Sequence, residues 1–325
     1  MQILNSDIVS VVAFAPATSA NLAVGFDIMG AAISGVGDRL SLERRNDERL
    51  VIREISGVAG AEKLPTDIEK NVASAVIKKM LSDLKISAGF DVFLQKGIPL
   101  RSGMGGSASS AVVAVVAMNA FLSIPLPVEK LAEYAIFGEH VATGNYHGDN
   151  AIPSLFGGFT FIRSVSPLKV IQLPDPGLKL ILVHPDLEIE TKVARSYLTE
   201  PFELSTVVAQ TSNLAGVIAA LYTKDIPLLQ DCMQDVLIEP RRKALIPGFD
   251  EVQRAAKNAG ALACSISGAG PSMFALTTDN QGARRVAKAM QNAFAEHQLS
   301  SQSWISDLQA SGAHVENIVK YEELL

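Results

Sequence analysis

Between positions 99 and 110 the chain reads PLRSGMGGSASS, with Gly103, Gly105 and Gly106 set among Ser102, Ser107, Ser109 and Ser110. The apolar run AVVAVVAMNAFL follows at once, and GFDVFLQKGIP just upstream alternates as an extended strand does. Strand, glycine loop and small-residue helix is an arrangement that folds backbone N–H groups around an anion. Glycine lets the main chain come close, and the helix N-terminus adds unpaired donors and a positive dipole end. Nucleotide phosphate suits such a loop. It is not one of the common phosphate loops, because nothing basic lies between Arg101 and the helix, and Ala108 stands where G-x-G-x-x-G needs its third glycine. The charge of a triphosphate would then be offset by the helix terminus, by N–H groups and by a metal. A side chain at Gly105 is expected to obstruct the phosphates alone. By itself the segment also fits an ordinary Gly/Ser turn ahead of a core helix.

Two other segments narrow the choice: PATSANLAVGFDIMG (16–30) and SISGAGPSMFAL (265–276). With the central loop, in this order, they resemble the motifs of the GHMP small-molecule kinases, the superfamily of galactokinase, homoserine kinase, mevalonate kinase and phosphomevalonate kinase. The first segment most resembles the homoserine kinases, which typically show P-A-T-[ST]-A-N-L-G-x-G-F-D. EHVATGNYHGDNAIPSLFGGF and EPRRKALIPGF resemble them too, so the likeness covers nearly the whole chain. It implies an ATP- and Mg2+-dependent enzyme that phosphorylates the side-chain hydroxyl of L-homoserine to O-phospho-L-homoserine, in threonine biosynthesis. It also implies a homodimer and an α+β GHMP kinase fold. The N-terminal domain would be like the second domain of ribosomal protein S5, and the C-terminal domain ferredoxin-like. Two departures are visible. Ala23 replaces the usual glycine, and Met104 and Gly106 stand where leucine and serine are more usual.

Phosphoryl transfer asks for positioning, charge neutralisation and an aligned acceptor. Magnesium takes one or two oxygen ligands from protein and completes its octahedron with phosphate and water. Ser107 can supply a hydroxyl and Glu139 a carboxylate, and the resemblance puts the equivalents of both on the metal. It lays ATP along Pro99, Leu100, Arg101, Ser102, Gly103, Met104, Gly105, Gly106, Ser107, Ala108 and Ser109, with Asn71 near the adenine.

Asp27 can accept from a substrate ammonium and Asn21 can hold a hydroxyl, although both residue types are also ordinary in turns. A carboxylate calls for the bidentate fork of arginine. Thr191 and Arg195 lie four apart, on one helix face. The resemblance carries both, with Arg242, to the amino-acid end of the substrate. Arg241 is adjacent, and only register against E-P-x-R selects its neighbour. His147 lies in the polar loop GNYHGDN, near the substrate by resemblance. His140 reads as a packed or surface histidine, because its spacing to Glu139 and His147 fits no zinc motif. The acceptor hydroxyl leaves two readings open. Either Asn150 and Asn21 orient it and its proton leaves late to phosphate or solvent, or Asp149, where mevalonate kinases carry an aspartate base, takes the proton. Mevalonate lacks an ammonium for Asp27, and a non-catalytic nucleotide-binding homologue would not need both Ser107 and Glu139.

These residues need elements to hold them. Extended segments are expected at VSVVAFA, DRLSLERR and RLVIREI, and helices over 70–84 and 127–142, with GGFTFIR closing a first domain. LPDPGLK (173–179) marks the passage to a second domain, giving 1–168 for the ATP-binding domain and 169–325 for the C-terminal one. There follow strand LKLILVH, helices around 189–237 and 248–259, strands flanking Gly268 and Pro271, helix 281–296 and a strand near 313–320. Alternating strands and helices suit a sheet with helices on one face. The 325 residues, 48% hydrophobic and 19% charged, can bury a large core. The net charge of −6 argues against nucleic-acid or anionic-membrane partners, which need a basic face. Cys232 and Cys264 are too few for a disulfide framework, and no secretory signal precedes the first apolar run, so a cytoplasmic protein with buried thiols is expected.

Overall fold

The computed structural model describes residues 3–324; the outer ends of the two expected domains, residues 1 and 325, lie outside the described residues. The first unit holds β1 (Ile8–Ala20), β2 (Met29–Arg44), β3 (Leu50–Gly57), α1 (Val72–Leu84), β4 (Phe90–Lys96), α2 (Gly106–Ala120), α3 (Val128–Thr143), α4 (Ala151–Phe156), β5 (Phe159–Val165) and β6 (Leu168–Gln172). Its sheet runs β1-β2-β4-β3 in order, with β5 paired to β2 and β6 to β5. Strand β4 puts Phe90, Val92, Leu94 and Lys96 inward, the period of two that its sequence carries, with a lysine in the inward register. Helix α2 is buried nearly all round. Its alanines and serines let neighbours close in, and a Cβ at Gly138 of α3 would lie 2.4 Å from Ala111 Cβ.

The chain crosses to the second unit through 173–178. That unit holds β7 (Lys179–Pro185), α5 (Thr191–Ser196), α6 (Leu204–Thr223), α7 (Ile226–Cys232), α8 (Glu239–Arg242), α9 (Phe249–Asn258), β8 (Ala263–Ile266), β9 (Met273–Thr277), α10 (Asn280–Glu296) and β10 (Ser301–Asp307). The order β10-β7-β9-β8, all antiparallel, is the ferredoxin-like pattern of β-α-β-β-α-β connections. The last strand, β11 (His314–Lys320), returns to the first sheet beside β1. The helical stretch expected around 189–237 is broken in three. Lys224 takes φ +58 at the end of α6, and Asp225 caps α7 by accepting from Leu228 N at 3.0 Å.

Alternation along β7 ties the units together. Ile181 and Val183 face α9 and α10, while Leu180 and Leu182 face a second core that takes Leu22, Met29 and Ile33 from the first unit. Six large side chains fully buried across this seam, counting Phe274, contribute on the order of 10 kcal/mol as an upper bound. The seam is therefore a fixed junction. Cys264 is buried in β8 and Cys232 is only half-buried, both free thiols.

Candidate active site

The three singled-out segments meet at that junction. The loop after β4 and the segment between β8 and β9 are packed backbone to backbone. Ser267 Oγ donates to Gly103 O at 3.0 Å, Ser272 N to Ser102 O at 3.2 Å, and a Cβ on Gly103 would strike Ser267 O at 2.5 Å. Gly103 (φ +75) and Gly105 (φ +69) take the left-handed backbone that lets the loop turn back into α2. Gly105 caps α2 without a side chain, so the first N–H groups of the helix have no capping partner. A bound anion fits there.

Several residues expected along the phosphates face elsewhere. Met104 and Ala108 are fully buried, and Ser109 Oγ donates to Ala15 O at 2.8 Å inside the core. Arg101 is exposed and held by Glu188 and Glu190 at 3.3 and 3.2 Å. Pro99 and Leu100 are half-buried at the base of the loop, and Ser102 Oγ is buried with no hydrogen-bond partner. Asn71 opens α1, its Oδ1 accepting from Ala73 N at 3.1 Å and its Nδ2 donating to Pro65 O at 3.0 Å. A small side chain would fit at Gly106, whose built Cβ meets nothing closer than 3.5 Å, so the missing serine reflects no steric need.

Ser107 and Glu139 do come together, Ser107 Oγ donating to Glu139 Oε1 at 2.8 Å. Glu139 is buried, and burial pushes its carboxyl up to about 7 against the opposing pull of the Ser107 hydroxyl and Lys96. Two hard oxygen donors side by side, one of them a carboxylate, fit a magnesium ion that takes its remaining ligands from phosphate and water. Among the described residues no cluster of three His, Cys, Asp or Glu forms an all-protein metal cage.

Lys96 was missed by the sequence reading. Its Nζ lies under the first turn of α2, donating to Gly106 O and Ser110 Oγ at 2.8 Å each and pairing with buried Asp38. The signal for it was a lone lysine on the inward parity of β4. Thr18 was missed as well. It is fully buried, its N donates to Met104 O at 3.1 Å, and its hydroxyl donates to Asn150 Oδ1 at 2.8 Å. Thr18 thereby joins β1, the glycine loop and the start of α4.

On the other side of the cleft, 21–28 forms a tight turn with Asn21, Leu22, Ala23 and Asp27 all at positive φ. Ala23 tolerates its Cβ at φ +63, a conformation that costs a non-glycine residue ~1–3 kcal/mol and is held by the surrounding packing. Asn21 Oδ1 accepts from Asp27 N at 3.0 Å and its Nδ2 donates to Gly268 O at 2.9 Å, so its amide braces the turn rather than facing a substrate hydroxyl. Asp27 receives the fork of Arg195, Nη2–Oδ1 2.7 Å and Nη1–Oδ2 3.2 Å, and His147 Nδ1 stands 3.6 Å from Oδ2. Burial holds the His147 imidazole below its ordinary range, against the pull of Asp27.

The adjacent arginines point in different directions. Arg241 turns out to the Glu200 and Pro201 carbonyls and stacks over Phe202. Arg242 is buried, donating from Nε to Ala194 O at 3.1 Å and from Nη1 to Gly268 O at 3.4 Å. Phe26 lies beside both site arginines, 5.5 Å from Arg195 Cζ and 5.1 Å from Arg242 Cζ. Burial, then the charge of Arg195, brings the Arg242 guanidinium down to about 10, which marks a place where an anion is wanted. Thr191 opens α5, exposed, one turn from Arg195. Asp149 is buried, and burial, then Asp27 and Glu139, push its carboxyl up to about 7 against Arg195. His140 is confined to a ring stack on Tyr146 at 4.1 Å. The arrangement can hold a polyanion at one end and a zwitterion at the other, with Asn150 between them.

The chain resembles proteins of a known family. The chain matches the GHMP kinases N terminal domain over residues 71–158 and the GHMP kinases C terminal domain over 217–296. It is similar to homoserine kinase of Chlorobaculum tepidum, 43% identical over 319 residues, covering 94% of this chain and 98% of the relative. It is 44% identical over 303 residues to homoserine kinase of Xylella fastidiosa, covering 93% of each. The crystal structure of homoserine kinase from Cytophaga hutchinsonii superposes with a TM-score of 0.91 at 41% identity, over 94% of this chain and 97% of that one. L. major mevalonate kinase in complex with R-mevalonate shares the fold, with a TM-score of 0.73 at 16% identity over 96% of this chain and all of that one.

Proposed function

The chain belongs to the GHMP kinases, among the homoserine kinases of that family, and from that membership we propose how its residues move the γ-phosphoryl group of ATP onto the side-chain hydroxyl of L-homoserine. The observation that carries the reading is the convergence of an uncapped glycine-loop helix, the Ser107–Glu139 pair and the Asp27–Arg195–Arg242 cluster around Asn150.

ATP phosphates lie over the N-terminus of α2, where the N–H groups of 105–107 receive them and Lys96 props the turn from below. Ser107 and Glu139 would hold Mg2+, which would neutralise charge on the transferred group. The homoserine ammonium goes to Asp27. Its carboxylate goes to Arg195 and Arg242, with His147 and Thr191 at the same end. Asn150 carries the acceptor hydroxyl into line. Because Thr18 occupies Asn150 Oδ1, the amide presents its Nδ2 hydrogens to the substrate, so Asn150 orients as a donor and cannot serve as a base. The hydroxyl oxygen bonds to the γ-phosphorus as the bond to the β–γ bridging oxygen breaks. ADP departs, and the hydroxyl proton leaves late, to the phosphoryl group or solvent. A second reading, Asp149 as proton acceptor, is favoured by its carboxyl standing at about 7.

The expected bounds of 1–168 and 169–325 shift, because β6 extends the first sheet to Gln172 and β11 returns to it from the far end of the chain; the two domains would act as a cytoplasmic homodimer. The product, O-phospho-L-homoserine, is a step of threonine biosynthesis. Coupled ADP release measured across homoserine, mevalonate, shikimate and galactose tests the assignment. Turnover with homoserine alone is expected, and turnover with mevalonate in its place would overturn it.

A further inference from the structure

Phe26 lies in the 21–28 turn between Gly25 and Asp27 and is half-buried. Among the described residues its ring joins none of the three apolar cores. It stands beside two cations, its centroid 5.1 Å from Arg242 Cζ and 5.5 Å from Arg195 Cζ, both within the ~6 Å reach of a cation–π contact. A large aromatic side chain that leaves the core to lie against charge asks for an electrostatic reason. Two guanidiniums beside one site repel each other. Arg195 has the Asp27 carboxylate to offset its charge. Arg242 is buried and, among the described residues, has no carboxylate within ion-pair distance; it donates to the Ala194 and Gly268 carbonyls. The negative face of the Phe26 ring is the attractive surface that both guanidiniums share.

The turn that carries the ring is pinned. Gly25 N donates to Asn21 O at 2.9 Å, Asp27 N to Asn21 Oδ1 at 3.0 Å and Met29 N to Gly25 O at 2.9 Å, while Leu22 and Met29 anchor it in the seam. The ring is therefore set by the first unit, whereas the arginines come from α5 and α8 of the second. We propose that Phe26 is a positioning residue whose ring holds Arg195 and Arg242 side by side as one carboxylate receptor. The proposal rests on reading that cluster as the seat of the amino-acid end of the substrate. Without the ring, part of the binding energy would be consumed in ordering two long side chains against their mutual repulsion. The loss would then fall on binding and not on the chemical step. Arg241 supplies an internal comparison, since it stacks over Phe202 at 3.6 Å but points away from the cluster.

Phenylalanines bearing one, two and three ring fluorines, incorporated at position 26 alone, test the proposal, because each fluorine weakens the negative face with little change of shape. KM for homoserine should rise stepwise along the series, by at least ~5-fold with three fluorines, while kcat and KM for ATP stay nearly constant. Phe26→Leu should lose at least as much, and Phe202→Leu should change none of the three constants. Nuclear spin relaxation at the Nε positions of Arg195 and Arg242 should show both side chains loosened by Phe26→Leu, whichever substrate the protein takes. A KM that stays flat across the fluorine series would overturn the proposal and leave the ring as an apolar wall. Arginines equally ordered in the leucine variant, or a loss carried by kcat, would overturn it too. Wild-type turnover of mevalonate in place of homoserine would overturn the reading of the cluster, and the relaxation measurement would then still decide whether the ring orders the two arginines.

Discussion

The guanidinium of Arg195 grips both carboxylate oxygens of Asp27, at 2.7 and 3.2 Å, across 168 positions of sequence and across the junction of the two units. The cationic and anionic groups proposed to receive the substrate satisfy one another. A zwitterion carries both complementary charges at once, so it can replace each partner by its own ammonium and carboxylate without leaving either side chain unpaired. A substrate with only one of the two charges cannot. As the proposed seat of the homoserine backbone this pair would filter for amino acids, and His147 and Arg242 stand around it.

Arg195→Ala should lower kcat/KM for homoserine by more than ~10-fold, because truncating a charge-assisted partner in a partly desolvated site typically costs ~2–5 kcal/mol. KM for ATP should stay nearly constant. Homoserine methyl ester, which lacks the carboxylate charge, should be a poor substrate for the wild type and lose much less on mutation. Steady-state kinetics with both compounds reads this directly, and equal losses would mean that Arg195 serves only the fold.

Glu139→Gln keeps the shape of the buried side chain and an acceptor for the Ser107 hydroxyl, so circular dichroism and melting should be close to wild type. Turnover should nevertheless fall by at least ~10²-fold, because a magnesium ligand loses its charge at the step that depends on neutralisation. A folded variant with near-normal turnover would remove Glu139 from the metal.

Gly105→Ala should impair both substrates, not ATP alone as the loop sequence suggests. The added Cβ would sit 2.2 Å from Thr18 Oγ1 and 2.8 Å from Asn150 Oδ1, on a backbone at φ +69. Asn150 would be pushed from the acceptor hydroxyl as the cradle is deformed. Isothermal titration with a non-hydrolysable ATP analogue and with homoserine separates the two effects. Intact homoserine binding and an intact homoserine KM would detach Asn150 from the acceptor.

Asp149→Asn should change how stability depends on pH. The folded protein holds the Asp149 proton up to about 7, whereas the unfolded chain loses it near 3.8, so this group's contribution to stability falls as pH rises through that window. The variant should gain on the wild type between pH 4 and pH 7 by on the order of 3 kcal/mol. Urea melts at the two ends of the window measure the gain. If Asp149 also takes the substrate proton, the acid limb of the kcat profile should vanish in the same variant, and a retained limb would return the proton to phosphate or solvent.

What the chain announces by itself is local. Glycines that must turn a loop, a helix of small residues behind it, the inward parity of β4 and the Pro/Gly passage at 173–179 all lie within a few residues of what they specify, so periodicity and turn chemistry make them readable. Ser107 and Glu139 were also legible, but only through their motifs, since nothing in their spacing shows that α3 packs its buried carboxylate on the first turn of α2. Tertiary structure alone decided the rest. Thr18 reaches Asn150 across 132 positions, Lys96 finds Asp38 across 58, and Arg242 rather than Arg241 enters the site because α8 buries one face and not the other. It also gave the Ser109 hydroxyl to Ala15 O across 94 positions and the Asn21 amide to Gly268 O across 247, each a backbone group that needed a partner once it was buried. The reason is the same in each case. A polar side chain serves whichever unsatisfied group the sheet order brings to it, and sheet order joins residues that the sequence keeps far apart.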